Sequence, residues 1–162
     1  MKRRSVICQL AVGCAAVSAG CGRFVQQNEH RLWFLSITNG SSRGVNVSIS
    51  ISRSGEDVFS QTYSDIVSFQ ETGQDGTSHA ERENTRLIEG EWSPEPGNYT
   101  LEYTYRDEEE RLDVAAIEDF ETDHIGVEMT FLGGAQGPPR ATFNLVEFES
   151  EEEARDALVS IR

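Results

Sequence analysis

The chain has 162 residues, with 28 acidic against 14 basic side chains, and its formal net charge at pH 7 is −14. This surplus of negative charge makes nucleic acid and anionic lipid headgroups poor partners, because binding them requires clusters of lysine and arginine. The length suits one domain, and a chain of this size can bury a core without disulfide bonds.

The first 21 residues have the order of an export signal. Positions 2–4 are basic, residues 6–17 form an apolar run, and small residues then lead to Cys21. A membrane-spanning helix needs about 20 apolar residues, and this run is shorter and is diluted by Gln9 and Gly13. The sequence therefore predicts a cleaved signal peptide over residues 1–20. An uncleaved anchor and an ordinary signal with a coincidental cysteine are the alternatives.

Two short motifs in this segment resemble those of secreted lipoproteins. Residues 3–7 (RRSVI) resemble a twin-arginine export signal, and residues 19–22 (AGCG) resemble a lipobox, with Ser18 where leucine is usual. The resemblance implies a lipid on Cys21 that attaches the protein to the outer face of the cell membrane. The other two cysteines lie within the signal, so the mature chain has one cysteine and forms no internal disulfide.

Lysine is confined to the predicted signal. Removing positions 2–4 takes away three basic residues, one of them the only lysine, and changes the net charge from −14 to −17. An acidic chain without lysine resembles proteins of extremely halophilic archaea. The resemblance implies folding in concentrated salt, where charge repulsion is screened. An ordinary acidic protein is the alternative.

After a short tether at residues 21–30, apolar residues alternate with polar ones, as in half-buried strands. The clearest alternation is at residues 45–52, where valine and isoleucine alternate with asparagine and serine. About eight such segments with turns between them predict a single all-β domain over residues 31–149, a β-sandwich. The strands are predicted around Trp33, Leu35 and Ile37, and at residues 45–51, 58–63, 86–92, 99–105, 111–116, 126–132 and 140–148.

The segment WSPEPGNYTLEYTY at residues 92–105 resembles the Pro-Gly-x-Tyr hairpin of immunoglobulin-like and CARDB-like extracellular domains. The resemblance favours an immunoglobulin-like sandwich over a barrel and implies nothing about function. Residues 94–97 (PEPG) predict a type II turn. Tyr99, Tyr103 and Tyr105 alternate along the following strand, which favours core positions over an aromatic binding face.

A change of period near the C-terminus predicts a short amphipathic helix over residues 150–162. Ser150 and Glu153 have the spacing of a capping box at a helix start. Apolar residues follow at helical spacing and form a narrow stripe that we expect to dock on the sandwich. These apolar residues are Ala154, Ala157, Leu158 and Ile161.

The sequence contains none of the usual motifs of catalysis. It has no G-x-S-x-G elbow, P-loop or G-x-G-x-x-G motif, so we expect no enzyme activity and no cofactor. His30, His79 and His124 lack metal-ligand spacing, and we expect them to be solvated side chains in loops.

Three acidic residues, Asp119, Glu121 and Asp123, alternate like the first ligands of a calcium-binding loop. An EF-hand loop would next require glycine where His124 stands and a bidentate acid where Thr130 stands. We therefore predict no defined metal site. These three carboxylates are weak candidates for loose Ca²⁺ or Mg²⁺ binding, and a solvated acidic loop is the simpler alternative.

Asn39, Asn46 and Asn98 each begin an N-x-[ST] tripeptide, the acceptor pattern for N-glycosylation. Asn39 lies in a predicted turn, so we expect it to be the most accessible of the three. Turns are rich in these residue types, and chance matches are the alternative.

These features favour a non-catalytic, exported, lipid-anchored module that binds an extracellular protein, glycan or solute. The alternative is an accessory or inhibitory subunit of an exported enzyme or transporter. We expect binding to involve two loops, the polar residues 70–84 and residues 132–140, which contain paired glycines and paired prolines. Nucleic acid is not an expected partner.

Overall fold

The computed structural model describes residues 2–6, 29–69, 83–116 and 120–161. These residues form strands, one 3₁₀ turn at Val114–Ala116 and one helix. The elements are β1 Lys2–Val6, β2 Arg31–Asn39, β3 Val45–Arg53, β4 Glu56–Ile66, β5 Thr85–Glu89, β6 Tyr99–Tyr105, β7 Glu108–Asp113, β8 His124–Leu132, β9 Arg140–Phe148 and α1 Glu151–Ile161.

Two sheets pack face to face as a β-sandwich. One sheet has the order β1-β9-β8-β2-β5 and the other β4-β3-β6-β7. Neighbouring strands are antiparallel, except that β2 pairs with β8 in parallel. The predicted all-β class, the β-sandwich of about eight strands and the C-terminal helix are thus confirmed, with β2 to β9 as the eight strands.

The core between the sheets follows from the alternation of apolar residues. In β3, Val45, Val47, Ile49 and Ile51 are buried, and the residues between them are not. Because successive side chains of a strand point to opposite faces, this alternation gives β3 one apolar face. In β6, the alternating residues Tyr99, Leu101 and Tyr103 likewise lie in the core cluster.

Strand β2 departs from the predicted alternation of Trp33 with Leu35 and Ile37. A break in the pairing with β8 between Leu32 and Leu35 shifts the register, and such bulges turn neighbouring side chains to new faces. Leu35 and Ile37 lie in the core between the sheets. Trp33 instead packs with Phe34 in a second cluster, so the prediction was wrong for Trp33.

The second cluster lies under α1 and fixes the helix to the sheet. Ala154 and Ala157 of the helix pack with Trp33, Phe34, Val146 and Phe148. The capping box is confirmed at its first bond, because the Glu153 backbone N–H donates to Ser150 Oγ at 3.2 Å. The Glu153 carboxylate accepts a hydrogen bond from the Glu149 N–H at 2.6 Å rather than from the N–H of Ser150.

Two local predictions need correction. The strand predicted at residues 111–116 ends at Asp113 and continues as the 3₁₀ turn. The turn at residues 94–97 is not type II at Gly97, because that glycine does not have a positive φ. Gly97 is needed for close approach instead, since a Cβ there would lie 2.5 Å from Arg53 Cγ.

The predicted signal and tether lie mostly outside the described residues. Residues 7–28, with Cys21 among them, are not described, and within residues 1–20 only Lys2–Val6 are. The backbone of Lys2–Val6 pairs with Phe143–Glu147 at the edge of the first sheet. No helix in the described ranges is long and apolar enough to cross a membrane.

The sandwich has two ends, the entry end and the cleft end. At the entry end the chain enters β2 at His30, which forms a backbone bridge with Gly97. The β3–β4 turn Ser54-Gly55 and residues 120–123 also lie there. The cleft end contains residues 40–44, the β6–β7 turn Arg106-Asp107 and residues 133–139.

Candidate ligand-binding cleft

An open cleft of about 310 Å³ lies at the cleft end. Its volume is at the lower limit of pockets that hold small ligands. The cleft is lined by residues from three connections of the sandwich, namely Arg43, Gly44, Asn46, Tyr105, Arg106 and Pro139.

A buried asparagine fixes the backbone that carries Arg43. The Asn39 side chain is fully buried, and its Nδ2 donates to the carbonyl oxygens of Arg43 and Ile66, at 2.8 Å each. Its Oδ1 accepts from the N–H and hydroxyl of Ser41, at 3.0 and 2.6 Å. The residue 40–44 connection is therefore held in one shape, while the Arg43 side chain is exposed.

The β8–β9 connection is tied to the same segment. Gly40 N–H donates to the Phe131 carbonyl at 2.9 Å, and Ser42 N–H donates to the Gly133 carbonyl at 3.1 Å. Gly134 has a φ of 94°, and a Cβ there would lie 2.9 Å from Ser42 Oγ. This close approach, which only glycine permits, fixes the loop that brings Pro139 to the cleft.

Arg106 occupies an unfavourable backbone position. It forms with Asp107 the two-residue turn between β6 and β7, closed by the Tyr105–Glu108 pair, and their φ values are 53° and 66°. Turns with positive φ at both positions strongly prefer Asn-Gly, since a side chain with a Cβ is strained there. The Arg-Asp pair therefore costs stability and presents a cation at the cleft.

Most arginines in the described part of the chain are held by carboxylates or carbonyls, as expected where acids are abundant. Arg43 and Arg106 form no ion pair within the described ranges, although both line the cleft. The pairs that do form are Arg31–Asp123 at 3.4 Å, Arg53–Glu95 at 3.1 Å, Arg111–Glu102 at 3.6 Å and Arg155–Glu151 at 2.8 Å.

Of the two loops predicted to bind a ligand, residues 132–140 lie at this end, as do the described residues on either side of the other loop. Residues 133–139 form one wall region, and Pro139 lines the cleft. The other loop leaves β4 after Ile66 and returns to β5 at Thr85, and both of these positions are at the cleft end. Residues 70–82 of that loop lie outside the described residues.

The cleft arginines were not predicted, and the only sequence signal for them was a basic residue in each turn.

The tyrosine prediction holds for two of its three residues. Tyr99 and Tyr103 are buried in the core, whereas Tyr105 is half-buried and lines the cleft. The Tyr103 hydroxyl donates to the Glu110 carboxylate across the β6–β7 pair. Burial, and then this hydrogen bond to a carboxylate, raise the pKa of Tyr103 well above its usual range.

The histidine expectation was wrong for the two residues that the structure describes. His30 is 1% exposed, neither ring nitrogen has a hydrogen-bond partner, and its ring meets Phe120 edge-on at 4.7 Å. Burial lowers the pKa of His30, and the negative charges of Asp123 and Glu147 only partly offset this.

His124 lies in β8 and accepts a hydrogen bond at Nδ1 from Trp33 Nε1 at 2.9 Å. His79 lies outside the described residues.

The acidic candidates for loose metal binding are not brought together as a cage. Asp119 lies outside the described residues. Asp123 pairs with Arg31 and lies 3.5 Å from His124 Nε2, and the Glu121 N–H donates to the Glu147 carboxylate at 2.7 Å. Among the residues that the structure describes, no group of three His, Cys, Asp or Glu side chains could hold a metal ion.

The candidate glycosylation sites differ in access. Asn39, expected to be the most accessible, is fully buried with both ends of its amide hydrogen-bonded, so that expectation was wrong. Asn46 is exposed and lines the cleft, and Asn98 is half-buried. Glycosylation of any of them stays a prediction.

Comparison with known proteins gave no family for this chain. A scan against protein-family models found no match, and a search of curated proteins found none.

Proposed function

We propose that the protein is a non-catalytic cell-surface lipoprotein that binds an extracellular ligand at the cleft end of its sandwich. The observation that carries the proposal is the open cleft, which is lined by two arginines without ion pairs in the described ranges. Arginine side chains donate hydrogen bonds and stay charged at all relevant pH values. A cleft lined by arginine, asparagine, tyrosine and proline suits recognition rather than proton transfer.

The position of the cleft supports a surface role. The chain enters the sandwich at His30, a few residues after Cys21, the predicted lipid attachment site. β2 then runs nine residues towards the cleft end, which at about 3.3 Å per residue is a distance of about 30 Å. A lipid on Cys21 would hold the entry end near the membrane and leave the cleft facing outwards.

Removal of the proposed signal is compatible with the fold. Residues 2–6 add only an edge strand beyond β9, so cleavage before Cys21 leaves the sheet β9-β8-β2-β5 and the whole core in place. The twin-arginine route, which exports proteins already folded, suits such a domain.

The anchor is tested by replacing the proposed lipid acceptor. Cys21→Ala should leave the precursor unprocessed or release the protein from membranes, and Cys8→Ala, a matched change within the signal, should not. Membrane fractionation and the mass of the product give the measurement. A Cys21→Ala protein that is processed and membrane-bound like wild type would overturn the lipoprotein proposal.

We also propose that the protein is adapted to concentrated salt, because the proposed mature chain has a net charge of −17 and no lysine. At about 0.1 M salt, charges about 10 Å apart still repel, whereas in molar salt the range falls to about 3 Å. The melting temperature should therefore be clearly higher in about 3 M than in about 0.1 M potassium chloride. Equal melting temperatures would point to an ordinary acidic protein.

The binding role is tested by filling the cleft. Gly44 lines the cleft, and a Cβ there would contact only the Ile66 carbonyl, at 4.0 Å. Gly44→Trp should abolish capture of surface partners from host membranes, whereas Gly137→Trp, at the same end but outside the lining, should not. If both variants fold and capture the same partners as wild type, the cleft is not the binding site.

A further inference from the structure

We propose that the ligand is a carboxylate-bearing sugar unit of an acidic glycan, with Arg43 and Arg106 binding its carboxylate. This inference rests on the proposed function and names the ligand class of that cleft. It follows from the charge state of the two arginines, from the backbone that displays them and from the walls between them.

Basic side chains are scarce in this chain. The proposed mature chain has 28 acidic residues, and four arginines outside the cleft, Arg31, Arg53, Arg111 and Arg155, form ion pairs with them. Two guanidinium groups that form no ion pair in the described ranges line one cleft of an acidic protein. Arginine presents a planar fork of donors that matches a carboxylate in two hydrogen bonds. The two cleft arginines can therefore bind a carboxylate supplied by a ligand.

The backbone of the β6–β7 turn is strained. Arg106 and Asp107 both have positive φ, although the Ser54-Gly55 turn of the same sheet places glycine at one such position. Strain at a residue that contributes nothing to the core indicates a function that requires that side chain there. The strained turn positions Arg106 beside Tyr105, whose ring is fixed 5.1 Å from that of Phe131.

The walls of the cleft favour a sugar over a peptide carboxylate. The Tyr105 ring and the buried Pro139 ring offer apolar surface, which suits the C–H face of a pyranose. Asn46 uses its Oδ1 to accept from the Asp65 N–H at 2.8 Å, and its Nδ2 donates no hydrogen bond in the described part of the chain. That amide suits a sugar hydroxyl, and the volume of about 310 Å³ suits a short unit rather than a long one.

The test measures binding of a galacturonic acid trisaccharide to the full chain by calorimetry, at the salt concentration where the protein is most stable. Arg43→Gln and Arg106→Gln should each weaken binding about tenfold or more, because each removes a charge-assisted hydrogen bond. Arg155→Gln is the matched control, since it removes the same charge from an exposed arginine of α1, and it should leave binding unchanged.

Two further ligands separate the ligand classes. The neutral galactose trisaccharide should bind at least tenfold more weakly than the acidic one, and a triglutamate peptide should also bind more weakly. Equal binding of the neutral sugar, equal or tighter binding of the peptide, or an Arg155→Gln loss as large as that of Arg43→Gln would overturn the inference. Circular dichroism spectra of each variant show that it is folded.

Failure of this inference is distinct from failure of the proposed function. If the acidic sugar does not bind but Gly44→Trp still abolishes capture of a surface partner, the cleft binds another ligand class and only the inference is wrong. If neither effect is seen, both are wrong.

Discussion

The two ends of the sandwich use the same side chain, arginine, in opposite ways. At the entry end, Arg31 and Arg53 reach Asp123 and Glu95, and a neutral His30 is buried beside them. At the cleft end, Arg43 and Arg106 are exposed and have no ion pair in the described ranges. In an acidic chain, an arginine without a carboxylate is therefore more informative than the carboxylates themselves.

The cleft end is rigid although its cations are free. Its shape depends on backbone hydrogen bonds and on one buried amide, Asn39, rather than on side-chain ion pairs. Such preorganisation lowers the cost of binding, because less conformational freedom is lost when the ligand arrives. The first prediction tests this difference, and it has the largest expected effect.

Asn39→Ala should destabilise the protein by about 2 to 4 kcal/mol, because it removes the buried hydrogen bonds of the side-chain amide with the Arg43 and Ile66 carbonyls and with Ser41. Asn46→Ala, an exposed asparagine with one backbone hydrogen bond, should cost about 1 kcal/mol or less. Denaturant unfolding of the two variants gives the comparison. Equal losses would show that the cleft end does not depend on Asn39 for its shape.

The sequence predicted the fold well because strands and caps are local patterns. Residues 140–148 were predicted as a strand and form β9 with the same bounds, and the Ser150 cap starts the helix. The bulge in β2 was not predictable, since it is set by the register with β8 rather than by the order of residues 32–35. Trp33 consequently changes faces and packs under α1.

The site was much less predictable than the fold. The sequence predicts a binding loop at residues 132–140. The cleft, however, forms only where that loop meets the residue 40–44 connection and the Arg106 turn. Those segments are distant in the chain, and no periodicity links them. His30 was expected in solvent for a similar reason, because its burial depends on the bridge to Gly97 and the ring of Phe120.

The entry end should lose stability on mild acidification. His30 is favoured in its neutral form because burial lowers its pKa, so the stabilisation is complete above the unfolded pKa of about 6.5 and is lost as the pH falls below it. Between about pH 7.5 and 5.5 the loss is at most about 1.4 kcal/mol. His30→Leu should show a correspondingly smaller loss over this range. An unchanged pH dependence in the variant would assign the effect to other groups.

The strained turn at the cleft end should be easy to stabilise. Arg106→Asn with Asp107→Gly should raise the free energy of unfolding by about 1 kcal/mol, because these residues accept positive φ. The same variant should lose acidic-sugar binding, since Arg106 is gone. Ser54→Asn, in the turn at the entry end, is the control and should leave sugar binding unchanged. A destabilised double variant would show that the Arg106 side chain supports the fold.

The smallest effect compares one arginine from each end. Arg53 is 20% exposed, pairs with Glu95 and also donates to the Ser93 carbonyl at 3.2 Å, so Arg53→Gln should cost about 0.5 to 1 kcal/mol. Arg43→Gln should cost about 0 kcal/mol, because no ion pair is lost. Parallel denaturant unfolding of the two variants measures the difference. A loss at Arg43 that equals the loss at Arg53 would mean that the cleft cations stabilise the fold, and the contrast between the two ends would then fail.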